Sequence, residues 1–306
     1  MPPRFRFGVQ VGRAPSAQEW FELARRLEAI GYDVLCMPDH VYGDLFAPFA
    51  ALAGAAGVTN RIRLGQLVLA NDFRNPLLLA REALTLDVLS GGRLELGIGA
   101  GGDPHDHEQL GIPLDPPRIR LERLTESVRV IKRLFTEEEV TAVGRHYALR
   151  RARAFPRPLQ RPRPPILVAG GGPRILAMAA READIVGLFP TTRFTNAPRY
   201  DFSWRSAELQ TAHVRATAAG RTLELQVLVT TMIVTDDRAR GIADLARRYE
   251  QDEATIAGSP YVLVGSLDTI REQLIERRER LGISYFTVRG PDVERLASLI
   301  SSLTGT

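Results

Sequence analysis

Two short segments of the chain carry acids and imidazoles that could move a proton. Asp39 and His40 are adjacent, and an acid beside an imidazole can position a proton donor and adjust its pKa. The second segment, residues 103–108, has the composition of a metal-binding cluster. Metal sites usually gather ligands from several elements, and the remaining histidines, His146 and His213, are isolated in the sequence. We therefore expect a polar active-site loop at residues 103–108 and no metal.

The most specific ligand-binding signal is a run of three glycines followed by proline. Gly170, Gly171 and Gly172 precede Pro173, a residue tolerated at the first position of a helix. Backbone N–H groups at such a helix start can bind an anion, and Arg174 would add guanidinium donors. A plain flexible turn is the alternative. The sequence favours a phosphate site here.

A second glycine-rich stretch covers residues 97–103. Ala100, Gly101 and Gly102 lie within it, and glycines let the backbone approach a flat ligand without Cβ interference. The spacing is similar to that of a dinucleotide-binding fingerprint, which requires a helix immediately after the glycines. We expect the next helix only near Pro117, so this interpretation is rejected.

Strands must bring these segments together. Eight apolar runs read as strands covered on both faces, because they are nearly continuous rather than strictly alternating. The runs are Phe5–Val11, Asp33–Pro38, Ile62–Ala70, Leu94–Gly99, Ile166–Ala169, Ile185–Phe189, Leu225–Val234 and Ser284–Val288. Amphipathic segments separate them, and prolines indicate four helix starts, at Pro48, Pro76, Pro173 and Pro291.

Eight strands alternating with helices predict an α/β fold, the (β/α)8 TIM barrel, whose active sites lie at the carboxyl ends of the strands. An open doubly wound sheet is the alternative. No linker divides the chain, so a single domain is expected over residues 1–306. Residues 136–165, rich in arginine and proline, interrupt the pattern and predict a surface excursion of polyproline character. A basic ligand-binding strip is the other interpretation of that segment.

Composition excludes several classes of protein. The net charge is +4, but 36 acidic residues are interspersed along the chain, so a nucleic-acid-binding face is not expected. Cys36 is the single cysteine, which excludes an internal disulfide and a cysteine-based metal cluster. No apolar run is long enough to span a membrane, and the N-terminus lacks the apolar segment of a signal peptide. A cytoplasmic location is expected.

Taken together, the motifs resemble the bacterial luciferase-like monooxygenase superfamily, in its branch of coenzyme F420-dependent oxidoreductases. The resemblance covers nearly the whole chain and depends on the order and spacing of several motifs. They are residues 27–33, 38–40, 61–65, 75–82, 91–101, 161–166 and 169–173.

The resemblance implies a luciferase-like barrel with an insertion after the fourth helix, which would be residues 136–165. It also implies a flavin-like cofactor across the barrel mouth. A non-proline cis peptide supports the ring in deazaflavin members, and the matching bond here is Leu67–Val68. Such enzymes commonly form homodimers.

The resemblance also assigns roles to the strand-end residues. Asp39 and His40 are implied to lie beside cofactor and substrate, and Ala100 and Gly101 to contact the cofactor. Its phosphate would be held by the segment from Ala169 to Arg174, that is, by Ala169, Gly170, Gly171, Gly172, Pro173 and Arg174.

One position departs from the pattern of the sugar-phosphate dehydrogenases of this group. They carry a catalytic glutamate where this chain has Gly102. Asp103 is acidic but displaced by one residue, so the role is not transferred to it. Sugar-phosphate dehydrogenase activity is therefore not expected.

These observations predict an oxidoreductase that transfers a hydride between coenzyme F420 and a small organic substrate. His40 would donate or accept the accompanying proton, and Asp39 would orient His40 or contact the ring. Tyr42 and Phe194 would form the substrate wall. Two alternatives stay open: an FMN-dependent luciferase-like monooxygenase that uses O2, and a non-catalytic flavin-binding protein in which Tyr42 and Phe194 plug the mouth.

Overall fold

Parallel strands of this chain form one closed ring in the computed structural model, which describes residues 3–191 and 200–304. Around the ring, the strands are β3 (Arg63–Gln66), β2 (Val34–Met37), β1 (Arg6–Gln10), β13 (Ile283–Val288), β10 (Glu224–Leu228), β9 (Ile185–Leu188), β8 (Ile166–Gly170) and β5 (Leu94–Gly99). β3 also pairs with β5, which closes the ring. This is the expected (β/α)8 barrel.

The chain divides into two compact units. The first comprises Met1–Gln10, Ala29–Asp33 and Ala169–Thr306. Its parallel ladder joins β1 to β13, β13 to β10 and β10 to β9. Its helices are α6 (Pro173–Glu182), α7 (Trp204–Thr217), α8 (Arg238–Tyr249), α9 (Glu253–Ala257), α10 (Leu267–Leu281) and α11 (Ala297–Leu303), and a separate pair of strands is β11 (Thr231–Val234) and β12 (Val262–Gly265).

The second unit comprises Val11–Glu28 and Val34–Val168. β2 pairs with β3, β3 with β5, and β5 with β8, all parallel. A short strand, β4 (Leu69–Ala70), also pairs with β5. The helices are α1 (Ala17–Ile30, which ends in the first unit), α2 (Pro48–Ala56), α3 (Pro76–Leu89), α4 (Pro104–Leu110) and α5 (Pro117–Thr136). The expectation of one domain over residues 1–306 remains a prediction.

The barrel strands are buried as their composition predicts. Every residue of β2, β5, β9 and β13 is buried, which explains why these strands read as continuous apolar runs. Two expected runs are nevertheless divided. Residues 62–70 form β3 and β4, with a cis peptide between Leu67 and Val68, the bond implied by the resemblance.

The run at residues 225–234 also divides, into β10 and β11, and only β10 belongs to the barrel. The Val229 N–H still bonds to the carbonyl of Thr287 in β13, but the Thr230 N–H bonds to the carbonyl of Tyr261, and there the chain leaves the barrel ladder. β11 then pairs with β12, a strand that the sequence reading missed.

Three expectations about helices and loops need correction. An additional short helix, α4, begins at Pro104, before the expected helix that begins at Pro117 as α5. The Asp103 side chain caps α4 by accepting from the His105 N–H. The insertion at residues 136–165 contains an antiparallel hairpin, β6 (Val140–Val143) and β7 (Ala148–Ala152). Pro48, Pro76 and Pro173 begin helices as expected, whereas Pro291 lies in a turn.

Across the described ranges, every helix is too short or too polar to cross a bilayer.

Candidate active site

Asp39 is buried at the carboxyl end of β2, and its carboxylate is fully engaged. The guanidinium of Arg74 donates to both carboxylate oxygens, at 2.6 and 2.9 Å. The N–H of Ala70, the last residue of β4, donates to Oδ2 at 2.9 Å. This bidentate ion pair ties the end of β2 to the segment that follows β4. Both oxygens of Asp39 are thus occupied by Arg74 and the Ala70 N–H, and His40 is not among the partners of this carboxylate in the described residues.

His40 takes its carboxylate partner from α4. Its Nδ1 lies 2.8 Å from Oδ2 of Asp106, and Oδ1 of Asp106 accepts from the N–H of Val41 at 2.9 Å. The side chain of Asp106 is 3% exposed and that of His40 is 39% exposed. Asp106, and not Asp39 as expected from the sequence, is therefore the acid that contacts and orients His40.

This pairing fixes the state of the imidazole. A carboxylate accepts only, so Nδ1 must carry the proton, and in the neutral ring Nε2 is the free acceptor. Within residues 3–191 and 200–304, Nε2 of His40 has no hydrogen-bond partner. A partly exposed nitrogen of defined tautomer is what proton transfer to or from a bound substrate requires.

Tyr42 lies against His40 and is held by Asp103. Its hydroxyl donates to Oδ2 of Asp103 at 2.8 Å, and its ring centroid is 5.0 Å from those of both His40 and His105. The hydrogen bond to Asp103 raises the pKa of Tyr42, and the same bond lowers the pKa of Asp103. Tyr42 therefore stays a phenol at neutral pH and serves as an aromatic surface.

Potential ligand atoms of His40, Asp103 and Asp106 lie within 4.8 Å of one another. The sequence reading considered the segment 103–108 as a metal cluster and rejected it; the fold adds His40 to two of its acids. Each side chain is hydrogen-bonded within the protein, to Tyr42, to the start of α4 or to the Val41 backbone. These bonds account for the arrangement, and the expectation of no metal stays a prediction.

The bulge at Leu67–Val68 is accommodated by a glycine of β5. A Cβ atom built on Gly97 would collide with the carbonyl oxygen of Gln66 and lie 3.4 Å from a methyl of Val68. Only glycine leaves room for the chain to enter this space. The Gln66 side chain is buried, and among the described residues neither its amide oxygen nor its nitrogen has a hydrogen-bond partner.

The turn after β5 is exposed and backed by Arg120 of α5. The guanidinium donates to the carbonyls of Gly101 and Ala100 and, through Nε, to the carbonyl of Asp115 at 3.0 Å. A Cβ atom on Gly102, whose φ is +141°, would lie 2.6 Å from Nη1 of Arg120. An arginine therefore occupies the space beside Gly102, where the resembled dehydrogenases carry a glutamate side chain.

A cluster of charged side chains lies near Arg120. Asp72, in the 3-10 turn Asn71–Phe73, lies 2.8 Å from the guanidinium of Arg123, which also contacts Asp115. His107 lies 3.6 Å from Asp72 and bonds through Nδ1 to the carbonyl of Asp103. Burial lowers the pKa of Arg120, and the charges of Asp72 and Asp115 oppose that shift. These contacts connect the start of α4, at Asp103, through His107 to Asp72, and connect Asp72 through Arg123 to Asp115.

The triple-glycine turn lies in the first unit, between β8 and α6. Pro173 is the first residue of α6, and Gly172 precedes it without a capping side chain. A Cβ atom on Gly171 would lie 2.6 Å from the carbonyl oxygen of Phe189 and 2.6 Å from Cβ of Thr191. The turn thus packs too closely for a side chain at Gly171, and the first N–H groups of α6 have no partner within the helix.

The site residues predicted from the sequence belong to both compact units. Asp39, His40, Tyr42, Leu67, Val68, Ala100 and Gly101 belong to the second unit, and Ala169 to Arg174 to the first. Phe194 lies outside the described residues. Sequence reasoning missed Arg74, Asp106 and Arg120 as partners. Asp106 alone carried a signal, because it lies in the acid- and histidine-rich segment after β5.

Comparisons with known proteins place this site in a family. The sequence profile of the luciferase-like monooxygenases matches residues 4–280. The chain is 34% identical over 265 residues to 4-hydroxyprotoasukamycin monooxygenase from Streptomyces nodosus subsp. asukaensis, covering 82% of this chain and 70% of that protein.

A second relative is the F420-dependent glucose-6-phosphate dehydrogenase from Kineococcus radiotolerans (strain ATCC BAA-149 / DSM 14245 / SRS30216). It is 38% identical over 188 residues, which cover 58% of this chain and 55% of that enzyme. The match therefore spans only about half of the dehydrogenase.

Solved structures agree with the fold. The coenzyme F420-dependent tetrahydromethanopterin reductase from Methanopyrus kandleri superposes with a TM-score of 0.80 at 19% identity, covering 99% of both chains. The long-chain alkane monooxygenase LadA superposes with a TM-score of 0.79 at 16% identity, covering 99% of this chain and 92% of that one. At these identities the likeness concerns the fold alone. From the profile match and the monooxygenase relative, the chain belongs to the luciferase-like monooxygenase family.

Proposed function

We propose that this enzyme transfers a hydride between coenzyme F420 and a small organic substrate that carries a carbonyl or hydroxyl group. The observation that carries the proposal is the geometry of His40, whose Nδ1 is fixed by Asp106 and whose Nε2 is unpartnered within the described residues. Hydride transfer to or from a carbon bonded to oxygen needs a proton to move at that oxygen. We assign this proton transfer to His40.

The choice of F420 is supported by the relatives and by the residues present. Several curated relatives are named as F420-dependent dehydrogenases. Gly97 makes room for the bulge at Leu67–Val68, and the unpartnered amide of Gln66 lies directly before it. Gly101 and Gly102 are exposed. These features fit a flat ring resting on backbone and an amide group available to its polar edge.

The site that we propose for the anionic arm of the cofactor lies in the first unit. The turn from Ala169 to Arg174 offers backbone N–H groups at the start of α6, and Arg174 adds guanidinium donors. F420 supplies the hydride-accepting or hydride-donating carbon when bound. The protein's own residues then bind the phosphate, support the ring and move the proton at Nε2 of His40.

Sugar phosphates are not the proposed substrates. The space beside Gly102 is filled by the guanidinium of Arg120, so the chain offers neither the glutamate nor the room for it. The aromatic surface formed by His40, Tyr42 and His105 suits an organic substrate of more apolar character.

An FMN-dependent monooxygenase is the second candidate, because a relative that matches 82% of this chain is a monooxygenase. The phosphate turn would serve FMN equally well, and His40 would act as a general base or acid in either reaction. We rank it second, since several relatives are named as F420-dependent dehydrogenases, one of them 38% identical over 188 residues.

Cofactor titration tests the proposal. The purified protein is titrated with F420 and with FMN, and binding is followed by fluorescence quenching; any cofactor carried through purification is extracted and identified by its absorption spectrum. We expect saturable binding of F420, tighter than that of FMN. Preference for FMN would support the monooxygenase, and failure to bind either cofactor would overturn both candidates. Tight binding without any exchange of hydride would support the flavin-binding alternative.

A further inference from the structure

The turn proposed to bind the cofactor phosphate is held in place by α7, through one fully buried amide. Nε2 of Gln210 donates to the carbonyl of Gly171 at 3.2 Å and to the carbonyl of Phe189 at 2.9 Å. Gln210 therefore ties the end of β8 to the end of β9. Its side chain is 0% exposed, so water cannot replace these bonds if they are lost.

A tyrosine fixes which way the amide points. The hydroxyl of Tyr261 donates to Oε1 of Gln210 at 2.7 Å, and Tyr261 is itself 0% exposed. A carboxamide can flip to exchange its oxygen and nitrogen. Because a hydroxyl donor meets Oε1, the nitrogen is directed at the two carbonyl oxygens.

The same helix contacts the turn at a second point. His213, three residues after Gln210 and so on the same side of α7, bonds through Nε2 to the carbonyl of Pro173 at 2.9 Å. Gly171 faces β9 closely, since a Cβ atom built on it would lie 2.6 Å from the Phe189 carbonyl oxygen and 2.6 Å from Cβ of Thr191. The carbonyl side of the turn is thus occupied by protein, which leaves its N–H side for a ligand.

We propose that Gln210, oriented by Tyr261, is a positioning residue for the phosphate of the cofactor. This inference rests on the proposed function, because it takes the triple-glycine turn to be the anion site. Gln210 touches no cofactor atom. It sets the orientation of the peptide units at residues 171–172, and therefore the direction of the N–H groups that meet the phosphate.

The test compares two ligands that share a ring and differ in the phosphate. Dissociation constants are measured for F420 and for its phosphate-free deazaflavin chromophore, in the full-length wild type and in Gln210→Met. Methionine is similar in length to glutamine but forms neither hydrogen bond. We expect F420 binding to weaken on the order of tenfold, the size expected when a buried hydrogen bond is broken. Binding of the chromophore should stay within about twofold of the wild type.

Tyr261→Phe is the milder variant, should Gln210→Met fail to fold. It removes only the hydroxyl that orients the amide, so F420 binding should weaken by about threefold and chromophore binding should not change. Tyr32→Phe is the matched control. Tyr32 is also a buried tyrosine of the first unit, and its hydroxyl donates to the carbonyl of Val293 at 2.7 Å. Its loss should leave the ratio of the two dissociation constants unchanged.

Two outcomes would overturn the inference while the proposed function stands. One is equal weakening of F420 and chromophore binding in the Gln210 and Tyr261 variants, which is what a general structural role predicts. The other is no change in either constant. If the wild type binds F420 no better than the chromophore, the phosphate site fails, and with it the cofactor assignment on which the inference rests.

Discussion

At the scale of single residues, the pairing of His40 with Asp106 is the feature that most constrains the chemistry. The carboxylate fixes the tautomer of the ring, which leaves Nε2 as the atom that we propose to exchange a proton with substrate. Asp39, adjacent in sequence, does a different task, because Arg74 and the Ala70 N–H already occupy its carboxylate.

Asp106→Asn tests this pairing. Asparagine can still accept from the Val41 N–H, but its amide nitrogen would then face Nδ1 and force the proton onto Nε2. We expect turnover to fall on the order of a hundredfold, the lower part of the range for general acid–base catalysis, with F420 affinity within about twofold of the wild type. Asp44→Asn is the control, because Asp44 is 82% exposed. An Asp106→Asn enzyme with near-normal turnover would remove the role from His40.

Tyr42 and Asp103 make stability depend on pH. The Tyr42 hydroxyl lowers the pKa of Asp103 below its ordinary 3.8. A carboxylate with a depressed pKa stabilises the fold above its unfolded pKa, and the contribution disappears as the pH falls through the folded pKa.

Tyr42→Phe should therefore lower the free energy of unfolding by about 1 kcal/mol or less near neutral pH, with partial exposure reducing the effect. The deficit should shrink when unfolding is measured at an acidic pH below 3.8, as the pH falls toward the lowered folded pKa of Asp103. Urea unfolding at the two pH values measures it. Tyr249→Phe, which loses a bond to the neutral Thr231 hydroxyl, should show a deficit that does not vary with pH. A deficit of Tyr42→Phe that grows on acidification would contradict the assignment.

Which residues meet could be predicted only in part. Asp39, His40 and the triple-glycine turn lie directly after apolar runs, and strand ends are where a barrel places its site. Arg74 and Asp106 lie 35 and 66 residues away from the side chains they contact. No local pattern reports such contacts, since they depend on where each loop folds back over the strands.

At the scale of elements, α5 supports the turn that follows β5. Arg120 closes the space beside Gly102 and bonds to the carbonyls of Ala100, Gly101 and Asp115. The charges of Asp72 and Asp115 favour the charged form of the Arg120 guanidinium. The turn is therefore presented to the ligand as a rigid backbone surface.

Arg120→Leu should loosen this turn. Three carbonyl oxygens lose their donor, so we expect F420 to bind on the order of tenfold more weakly, from the cost of unmade hydrogen bonds to a charged group. Arg118→Leu changes the same residue type two residues away, at a side chain that is 74% exposed, and should leave affinity unchanged. Equal affinities for wild type and Arg120→Leu would show that α5 does not hold the ring contacts.

Element boundaries show why the sequence reading was incomplete. Apolar continuity predicted the barrel strands, but it could not show that residues 225–234 contain two strands in different sheets. The break depends on where the Val229 and Thr230 N–H groups find carbonyl partners. Helix α4 was missed because its seven residues, of which five are polar, show little periodicity, although Asp103 before Pro104 is a recognisable start.

At the scale of the whole molecule, one apolar face, on helices α2 and α3, is left uncovered by residues 3–191 and 200–304. Leu78 and Leu89 of α3 are 56% and 59% exposed, and α2 and α3 line a groove of about 440 Å³ that also includes Arg81 and Glu82. An arginine next to a glutamate is self-complementary about a twofold axis, because each can face the other on a second copy. We predict that this face forms the homodimer that the resemblance implies.

The double variant Leu78→Glu, Leu89→Glu should convert the dimer to a monomer, because four carboxylates would meet at an apolar contact. Sedimentation velocity measures the change. Val143→Glu adds a charge at another exposed apolar residue, which is 80% exposed on the β6–β7 hairpin, and should leave the dimer intact. A wild type that sediments as a monomer at micromolar concentration would contradict the prediction.

The central claim is hydride exchange between F420 and an organic substrate, and anaerobic stopped-flow absorption tests it most directly. The enzyme is loaded with reduced F420, mixed without oxygen with a panel of ketones, aldehydes and conjugated carbonyl compounds, and the return of the oxidised chromophore is followed. The account predicts oxidation in the absence of oxygen by at least one compound, slowed on the order of a hundredfold in His40→Ala. Cofactor oxidation that occurs only when oxygen is admitted would contradict it.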